Sequence, residues 1–440
     1  MTKHPIGILA FLVIILYFLV GLYAPFLTSG KAIIALYDGQ LYFPLFRFLF
    51  FQGYYTKSID LFFNILMFTF PIMLIGFWKR AFLYSGIALQ LLLFLYLLFF
   101  PIKNPNTDDV LIQNKNVSMN FNSELSRLNT QGKLDLLLEE IRLKQHHDQV
   151  NSYIKQGDIY TPYRIHREVL AKDPQSLSEH DSFINQEKNK LTFAVFPLIR
   201  SFHWEEDAGG DEKMNRQLPW WQLTRVNHKD LISALIYGIR ISLTVGILST
   251  LISLVISIPI GAFAGYFAGK IDVVVSRLLE VWEGMPTFFM LLLVVAITQS
   301  KSIFLIILVL GLFGWTSFSR YIRGEFFKER KLPYVEAGQV FGFSNLYLMF
   351  RHILPNAIAP IITLLPFAIL AAISAEAGLS FLGLGEENTP SWGALMEEGR
   401  SVFPGQSYLL WPPAILLTIL LVSIALVGDA LRDYLDPRLS

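Results

Sequence analysis

The sequence predicts an all-α integral membrane protein, a polytopic bundle of about eight transmembrane helices with a polar insertion. Composition is the first observation, since 53% of the 440 residues are hydrophobic and only 16% are charged, more apolar than a soluble domain requires. The second is that eight long stretches contain no Lys, Arg, Asp or Glu. Buried helices of a large soluble protein are the alternative, but these would carry charges every turn or two.

Each apolar stretch is long enough to cross the hydrocarbon layer, which needs roughly 20 apolar residues as a helix. The stretches are Pro5 to Gly30, Leu61 to Trp78, Ala81 to Ile102, Ile241 to Gly269, Gly284 to Ser300, Ser302 to Ser319, Ala357 to Ala375 and Leu409 to Gly428. The first is too long for the apolar core of a signal peptide, and no small-x-small cleavage site ends it. We therefore expect an uncleaved anchor helix.

Charge divides the chain into three zones. Residues 1–102 form an N-terminal membrane region with the anchor helix and an extra helical hairpin, residues 103–228 form a polar insertion, and residues 229–440 hold five more spans. Within the insertion, Glu124 to Ile154 has helix-forming composition with apolar residues at helical spacing. We therefore expect the insertion to be mainly helical.

The positive-inside rule orients the bundle. If all eight spans cross, four basic positions fall on one side, which is then the cytoplasm together with both termini. These positions are Lys79 with Arg80, Lys270 with Arg277, the connection 319–355, and Arg432 with Arg438. The insertion would then be extracytoplasmic. One connection resists the rule, because Lys31, Arg47 and Lys57 would lie outside.

The connection 319–355 contains the most informative motif, which begins Tyr334-Val335-Glu336-Ala337-Gly338. Glu336 suits the first turn of a short helix, where a negative charge favours the positive end of the helix dipole. Ala337 and Gly338 would keep one face flat enough for another protein to approach closely.

The same connection continues through Gly342 to the run His352-Ile353-Leu354-Pro355. Gly342 permits a backbone turn that a side chain would oppose. Pro355 would close the segment just before the next span. A solvated basic connection that only obeys the charge rule is the alternative interpretation of this loop.

This pattern resembles the EAA loop, E-A-A-x3-G-x9-I-x-L-P, of membrane subunits of bacterial ATP-binding-cassette (ABC) importers. Two positions depart from it, since Gly338 replaces the second alanine and His352 replaces an isoleucine. The run Arg351 to Asn356 is similar to the peptide-importer branch. Three further segments resemble dipeptide and oligopeptide permeases in the same order: Lys229 to Leu243, Ala375 to Gly385 with Pro390 to Gly393, and Gly428 to Arg438.

On these residues the chain is identified as resembling a permease subunit of the peptide/nickel family of type I ABC importers. The resemblance covers 229–440, and the second and third spans, with most of 103–200, look like an insertion relative to a six-span core. It implies a loop that docks an ATPase through one set of residues. These are Tyr334, Glu336, Ala337, Gly338, Gly342, His352, Leu354 and Pro355.

The resemblance also implies the partners and the location. They are a homologous sister permease, two cytoplasmic ABC ATPase subunits that hold ATP and Mg, and an extracytoplasmic solute-binding protein, in the bacterial inner membrane. No cofactor is expected on this chain, which has no G-x-x-x-x-G-K-[ST] phosphate loop. The chain is expected not to be an enzyme. A net charge of +1 excludes a strongly basic nucleic-acid binder.

Two other function classes predict features that the sequence lacks. A secondary transporter would carry ionisable residues in mid-span and repeated hydropathy in two halves. A membrane-embedded enzyme would place a cluster of His, Asp or Ser at bilayer depth. Glu376 could be a proton-relay carboxylate, although packing at the end of the seventh span is the simpler interpretation. The histidines of the polar zone have no partner at metal-ligand spacing; they are His146, His147, His166, His180 and His203.

Overall fold

A computed structural model describes most of the membrane region of the chain. It covers residues 5–29, 31–52, 56–76, 79–103, 191–199, 231–387, 389–401, 403–404 and 409–435, with a few isolated residues between 134 and 190. Most of the predicted insertion, including the five histidines of the polar zone, lies outside the described residues. Of the helix predicted over Glu124 to Ile154, only Leu134, Leu137 and Leu138 are described, and all three are buried.

Helices make up most of the described residues. In chain order they are α1 (Pro5–Leu22), α2 (Ala24–Leu27), α3 (Pro44–Phe48), α4 (Ser58–Ile75), α5 (Arg80–Phe99), α6 (Leu231–Phe267), α7 (Gly269–Glu283), α8 (Thr287–Thr298), α9 (Ile303–Glu329), α10 (Pro333–Val340), α11 (Asn345–Tyr347), α12 (Leu354–Phe381), α13 (Trp392–Ser401) and α14 (Trp411–Leu435). The strands are β1 (Ile34–Tyr37), β2 (Gln40–Tyr42), β3 (Phe51–Gln52), β4 (Ile102–Lys103) and β5 (Leu191–Val195).

Seven of the described helices are long and apolar enough to cross a membrane, and the count reaches eight if α7 and α8 form one span. This agrees with the predicted number. The extent predicted for the fifth span was wrong, because α8 has 12 residues and is about 18 Å long, shorter than a bilayer core. The chain bends by 70° between α7 and α8. Pro286 lies at this bend, where it supplies no N–H to continue α7 and disfavours helical geometry at Met285.

The centre of the bundle is the pair α6 and α9, which lie close together along much of their length. Close approach depends on small residues, since a Cβ added to Gly265 would lie 2.5 Å from Phe326 Cβ and 2.6 Å from the carbonyl oxygen of Arg323. α12 packs against both helices. α1 and α14 complete this side of the bundle, and the Tyr17 hydroxyl donates to the carbonyl oxygen of Leu416 at 3.1 Å.

The extra hairpin predicted from the sequence is present as α4 and α5. Its two helices are joined by buried polar contacts: Thr69 donates to Gln90 Oε1 at 2.6 Å, and Gln90 Nε2 donates to the carbonyl oxygen of Phe62 at 3.0 Å. α4 also packs into the core, where Phe63 and Met67 share a cluster with residues of α6 and α9. α5 lies on the outside of α4, and most of its large apolar side chains are exposed.

Two small sheets depart from the all-α prediction, although the membrane region itself is helical. One sheet has the order β2-β1-β5 with antiparallel pairs, and the other pairs β3 with β4 in parallel. Asp38 and Gly39 have positive φ angles of 48° and 71°. This two-residue turn matches the twist of a tight hairpin. The face of the first sheet bearing Ala35 and Tyr37 packs on the buried leucines near 134–138.

α6 connects the two ends of the bundle, which differ in character. Near its start, the hydroxyl of Ser233 contacts that of Thr28, which follows α2 and borders the three-stranded sheet. We call this the sheet end. Near its last residues, the hydroxyl of Tyr266 bonds to Asn345 Oδ1 at 2.9 Å. We call this the loop end, because the connection between α9 and α12 lies there.

Candidate docking loop

The first half of the connection folds as a short helix with defined ends. Leu332 is extended and Pro333 begins α10, where its missing N–H costs no hydrogen bond. Glu336 lies in the first turn, as predicted. Gly342 has a φ of 81°, and the amide of Phe343 donates to the carbonyl oxygen of Gly338 at 3.1 Å. This is the left-handed glycine stop that satisfies the last carbonyls of a helix.

The second half turns back at once. Ser344 caps α11 by accepting a hydrogen bond from the amide of Tyr347 at 3.3 Å. A π-helical segment, Leu348–Ile353, leads without a break into α12. Pro355 lies in the first turn of α12, where the predicted loop meets the next span, and the helix runs through it without a break. The wide turn just before it lets the chain pass a residue that has no N–H to donate.

Gly338 packs inwards, contrary to its predicted place on a face open to another protein. It is buried, and an added Cβ would lie 2.6 Å from Leu348 Cδ2 and 3.3 Å from Phe343 Cδ2. The small residue is therefore needed for α10 to lie close to the π-helical segment. Ala337, its neighbour, is on the exposed side of α10.

The loop is fixed to three long helices by buried apolar and polar contacts. Val335, Leu348 and Ile353 are buried in one cluster with residues of α6 and α9, and Leu354 packs against its edge. Tyr266 ties the parts together: its hydroxyl accepts a hydrogen bond from Gln339 Nε2 at 3.3 Å, and its carbonyl accepts one from Arg330 Nη1 at 2.9 Å. The loop is therefore anchored to the ends of α6, α9 and α12.

The outer side of the loop presents large apolar side chains. Val340 is 87% exposed and Phe341 is 79% exposed. We call the following set the apex patch: Val340, Phe341, Phe343, Leu346 and Tyr347, all of them exposed. The loop motif does not include this set, although the apolar residues on both sides of Gly342 indicate it. Contiguous exposed apolar groups outside a span are typical of a protein–protein contact.

Two predicted site residues, Tyr334 and His352, make other contacts in the loop. The Tyr334 hydroxyl donates to Glu329 Oε2 at 2.7 Å. Burial raises the pKa of Tyr334, a hydrogen bond with Asn356 opposes the shift, and Glu329 adds to it. The His352 ring stacks on Phe343 with centroids 5.9 Å apart and meets Tyr347 edge-on at 5.2 Å. His352 therefore supports the aromatic side chains of the patch from behind.

Ion pairs hold α7 to α9 beside the loop. Asp272 forms a two-pronged pair with Arg323, in which Nη2 lies 3.0 Å from Oδ2. Arg320 Nη2 lies 2.5 Å from Glu283 Oε2. Asp272 and Glu283 of α7 are therefore paired with α9, while Val274, Val281 and the Arg277–Glu280 pair remain exposed.

Glu376 has the contacts of a packing residue at the sheet end. Its side chain is 1% exposed, and its Oε1 accepts a hydrogen bond from Ser380 Oγ at 2.6 Å. The neighbouring α13 is held by Trp392, whose Nε1 donates to the carbonyl oxygen of Leu235 at 2.9 Å. Among the described residues, no group of three or more His, Cys, Asp or Glu side chains could hold a metal ion.

The fold and the loop define a class: a polytopic helical membrane protein with a structured loop between two long helices. Residues 257–440 match the family described as "Binding-protein-dependent transport system inner membrane component". The chain is 41% identical to the oligopeptide transport system permease protein OppC of Escherichia coli K12 over 211 residues, 48% of this chain and 70% of that protein. This chain belongs to that family of multi-pass permease proteins.

Two further relatives show how far the similarity extends. The chain is 30% identical to the dipeptide transport system permease protein DppC of Bacillus subtilis 168 over 284 residues, 61% of this chain and 88% of that protein. It is 36% identical to the inner membrane ABC transporter permease protein YejE of Escherichia coli K12 over 220 residues, half of this chain. The matched part spans 64% of YejE, less than two thirds of its length.

Proposed function

We propose that this chain is the permease subunit of an ABC importer for peptides or similar small solutes. It would form half of the translocation path and couple to partner ATPases through its loop. The single observation that supports coupling most strongly is the apex patch, which lies on a segment fixed to α6, α9 and α12. Relatives named as oligopeptide and dipeptide permeases support the solute class.

The proposed orientation places the loop end in the cytoplasm of a bacterial cell, with the protein in the inner membrane. Basic residues are frequent at that end, including Arg320, Arg323 and Arg330, which agrees with the positive-inside rule. α1 ends beside Arg240 at the sheet end. Its first residue therefore points towards the loop end, which supports a cytoplasmic N-terminus. α14 runs the other way, which supports a cytoplasmic C-terminus.

The proposed partners follow from this orientation. Two ATPase subunits holding ATP and Mg would meet the loop end, a sister permease would complete the path, and a solute-binding protein would meet the sheet end. The predicted docking residues would have two kinds of role, depending on where they lie in the loop. Ala337 and the apex patch would face the ATPase, whereas Gly338 and Leu354 would hold the loop in shape.

Coupling would be mechanical. When ATP closes the partner subunits, their contact with α10 would displace it as a rigid body, since Val335 and Tyr266 anchor the loop in buried contacts. The displacement would tilt α9 and α12, which flank the loop. Rigid displacement of packed helices is a common way to convert a local contact into a conformational change.

Cysteine cross-linking tests the proposal cleanly, because the chain contains no cysteine. Phe341→Cys should form a cross-link to a cysteine on the ATPase surface in the assembled complex, and ATP should change its yield. Leu198→Cys is the matched control, since Leu198 is 86% exposed at the sheet end and should give no such product. An assembled complex in which Phe341→Cys never reacts with the ATPase would remove the proposed role of the loop.

A further inference from the structure

A buried arginine at the sheet end joins the hairpin α4–α5 to α1 and α6. Arg240 lies in α6 and is 0% exposed. Its Nε donates to the carbonyl oxygen of Gly21 at 2.6 Å, and its Nη2 donates to that of Leu22 at 3.1 Å. Its Nη1 donates to Asn64 Oδ1 at 3.0 Å and to Asp60 Oδ1 at 3.3 Å. One guanidinium therefore bonds to the end of α1 and to the first turns of α4.

The charge of Arg240 is compensated from the hairpin. A buried cation is costly unless a carboxylate and further hydrogen bonds accompany it. Among the described residues, Asp60 supplies the only carboxylate within ion-pair distance of Arg240. The rings of Phe63 and Tyr237 lie against the guanidinium at 5.3 and 5.1 Å. α4, which carries Asp60, Asn64 and Phe63, lies outside the family match over 257–440.

The same cluster extends to the segment between α12 and α13. Asp60 accepts a hydrogen bond from the amide of Lys57 at 3.3 Å. Burial raises the pKa of Glu386, the positive charge of Lys57 opposes this shift, and Asp60 adds to it. Glu386 also accepts a hydrogen bond from Thr389 at 3.2 Å. Arg240 and Asp60 thus join α6 to α4, and the charges of Lys57 and Asp60 act on Glu386 of the α12–α13 segment.

We propose that Arg240, Asp60 and Asn64 form a clamp, through which the hairpin α4–α5 takes part in coupling ATP hydrolysis to transport. Arg240 is a positioning residue in this proposal, since it holds the sheet ends of α1, α4 and α6 together. The proposal rests on the function proposed above. α6 has 37 residues and runs from the clamp to the docking loop. A held sheet end would keep α1, α4 and α6 in a fixed relation when force acts at the loop end.

The experiment uses the full chain assembled with its sister permease, ATPases and binding protein in proteoliposomes. Asp60→Asn keeps the shape of the side chain but removes its charge, and Asp60→Glu keeps the charge. Glu280→Gln is the matched control, because Glu280 belongs to an exposed ion pair with Arg277. Solute uptake, ATP hydrolysis and complex assembly are measured on each variant.

We expect Asp60→Asn to lower the uptake per ATP hydrolysed by about fivefold, the effect of losing roughly 1 kcal/mol. Hydrolysis should persist, Asp60→Glu should recover most of the ratio, and Glu280→Gln should match the wild type. A ratio unchanged in Asp60→Asn would overturn the clamp. If Asp60→Asn fails to assemble, Asn64→Ala should lower the ratio by about twofold, because it removes the hydrogen bond accepted from Arg240 and the one donated to the carbonyl oxygen of Leu49. An unchanged ratio in Asn64→Ala would overturn the clamp equally.

The outcomes separate this proposal from the one on which it rests. Absence of ATP-driven uptake by the assembled wild-type complex would contradict the proposed function. Normal uptake by the wild type, together with wild-type ratios in the clamp variants, would contradict only the clamp. A parallel loss of uptake and hydrolysis in Asp60→Asn, without recovery in Asp60→Glu, would also contradict it, because a simple loss of stability gives that result.

Discussion

Single residues determine the character of both ends of the bundle. At the loop end, Gly342 adopts a positive φ that ends α10 and brings the chain back towards the membrane. At the sheet end, Arg240 is buried with its charge compensated by Asp60. The turn at Gly342 could be predicted from the sequence, because a glycine at this spacing indicates a turn. The ion pair of Arg240 could not be predicted, since its partner Asp60 lies 180 residues earlier in the chain.

Phe341 is the residue most directly tied to docking. We expect Phe341→Ser to weaken ATPase binding by about 2 kcal/mol or more, as expected of a central aromatic residue in an interface. The thermal stability of the isolated Phe341→Ser subunit should stay near that of the wild type, because the Phe341 side chain is 79% exposed. Tyr434→Ser, at an exposed position in the last turn of α14, is the control. Equal ATPase binding by both variants, measured by co-purification, would contradict the prediction.

Glu386 predicts a pH dependence. A carboxyl group whose pKa is raised in the folded state above its ordinary value of 4.5 favours folding when protonated. That contribution is complete below the unfolded pKa and is lost as the pH rises through the folded pKa. Wild type and Glu386→Gln should therefore have equal Tm values at low pH, and the variant should become the more stable as the pH rises. Parallel Tm curves across this range would refute the assignment.

At the scale of elements, the apolar stretches predicted most helices because a bilayer leaves few other structures possible. Local chemistry explains where the structure departs from the sequence prediction. Pro286 divides the fifth span, although its stretch has no charge, and a π-helical turn carries the chain through Pro355. The Asp38-Gly39 pair is a hairpin signal that the all-α interpretation did not use. Gly338 faces inwards because its neighbours in space, Leu348 and Phe343, come from the second half of the loop.

The contact between α6 and α9 predicts a cost for added volume. Gly265→Ala should destabilise the protein by about 1–3 kcal/mol, because the new Cβ would overlap Phe326 Cβ and the backbone of Arg323. Gly324→Ala is the matched control in α9, where nothing lies within 4 Å of an added Cβ. It should be neutral or stabilise the helix by up to about 1 kcal/mol. Thermal unfolding in detergent compares the two, and an equal effect would contradict the packing described.

The end of α2 and the start of α6 predict a disulfide. The hydroxyls of Thr28 and Ser233 are in contact, so cysteines at both positions should lie within bonding distance. We expect Thr28→Cys with Ser233→Cys to form a disulfide under mild oxidation, detected as reductant-sensitive resistance to alkylation. Thr28→Cys paired with Thr418→Cys is the control, since Thr418 is an exposed residue of α14 that bonds to Ala414 within its own helix. Failure of the first pair to oxidise would contradict this arrangement of the sheet end.

At the scale of the whole molecule, the two ends of the bundle differ in structure. The loop end presents an apolar surface on a segment anchored to three helices. The sheet end gathers α1, the hairpin and the start of α6 around Arg240. The proposed docking of an ATPase would account for the first end, and the proposed clamp would account for the second. The central claim is that the loop end is the cytoplasmic side on which an ATPase docks.

The most direct test measures which side exposes the apex patch and what covers it. Val340→Cys, 87% exposed at the loop end, should react with a membrane-impermeant maleimide in inside-out vesicles stripped of ATPase. Rebinding of the ATPase should protect it, whereas Leu198→Cys should react only in right-side-out vesicles. Labelling of Val340→Cys from the outside of the cell, or full reactivity with the ATPase bound, would contradict the account.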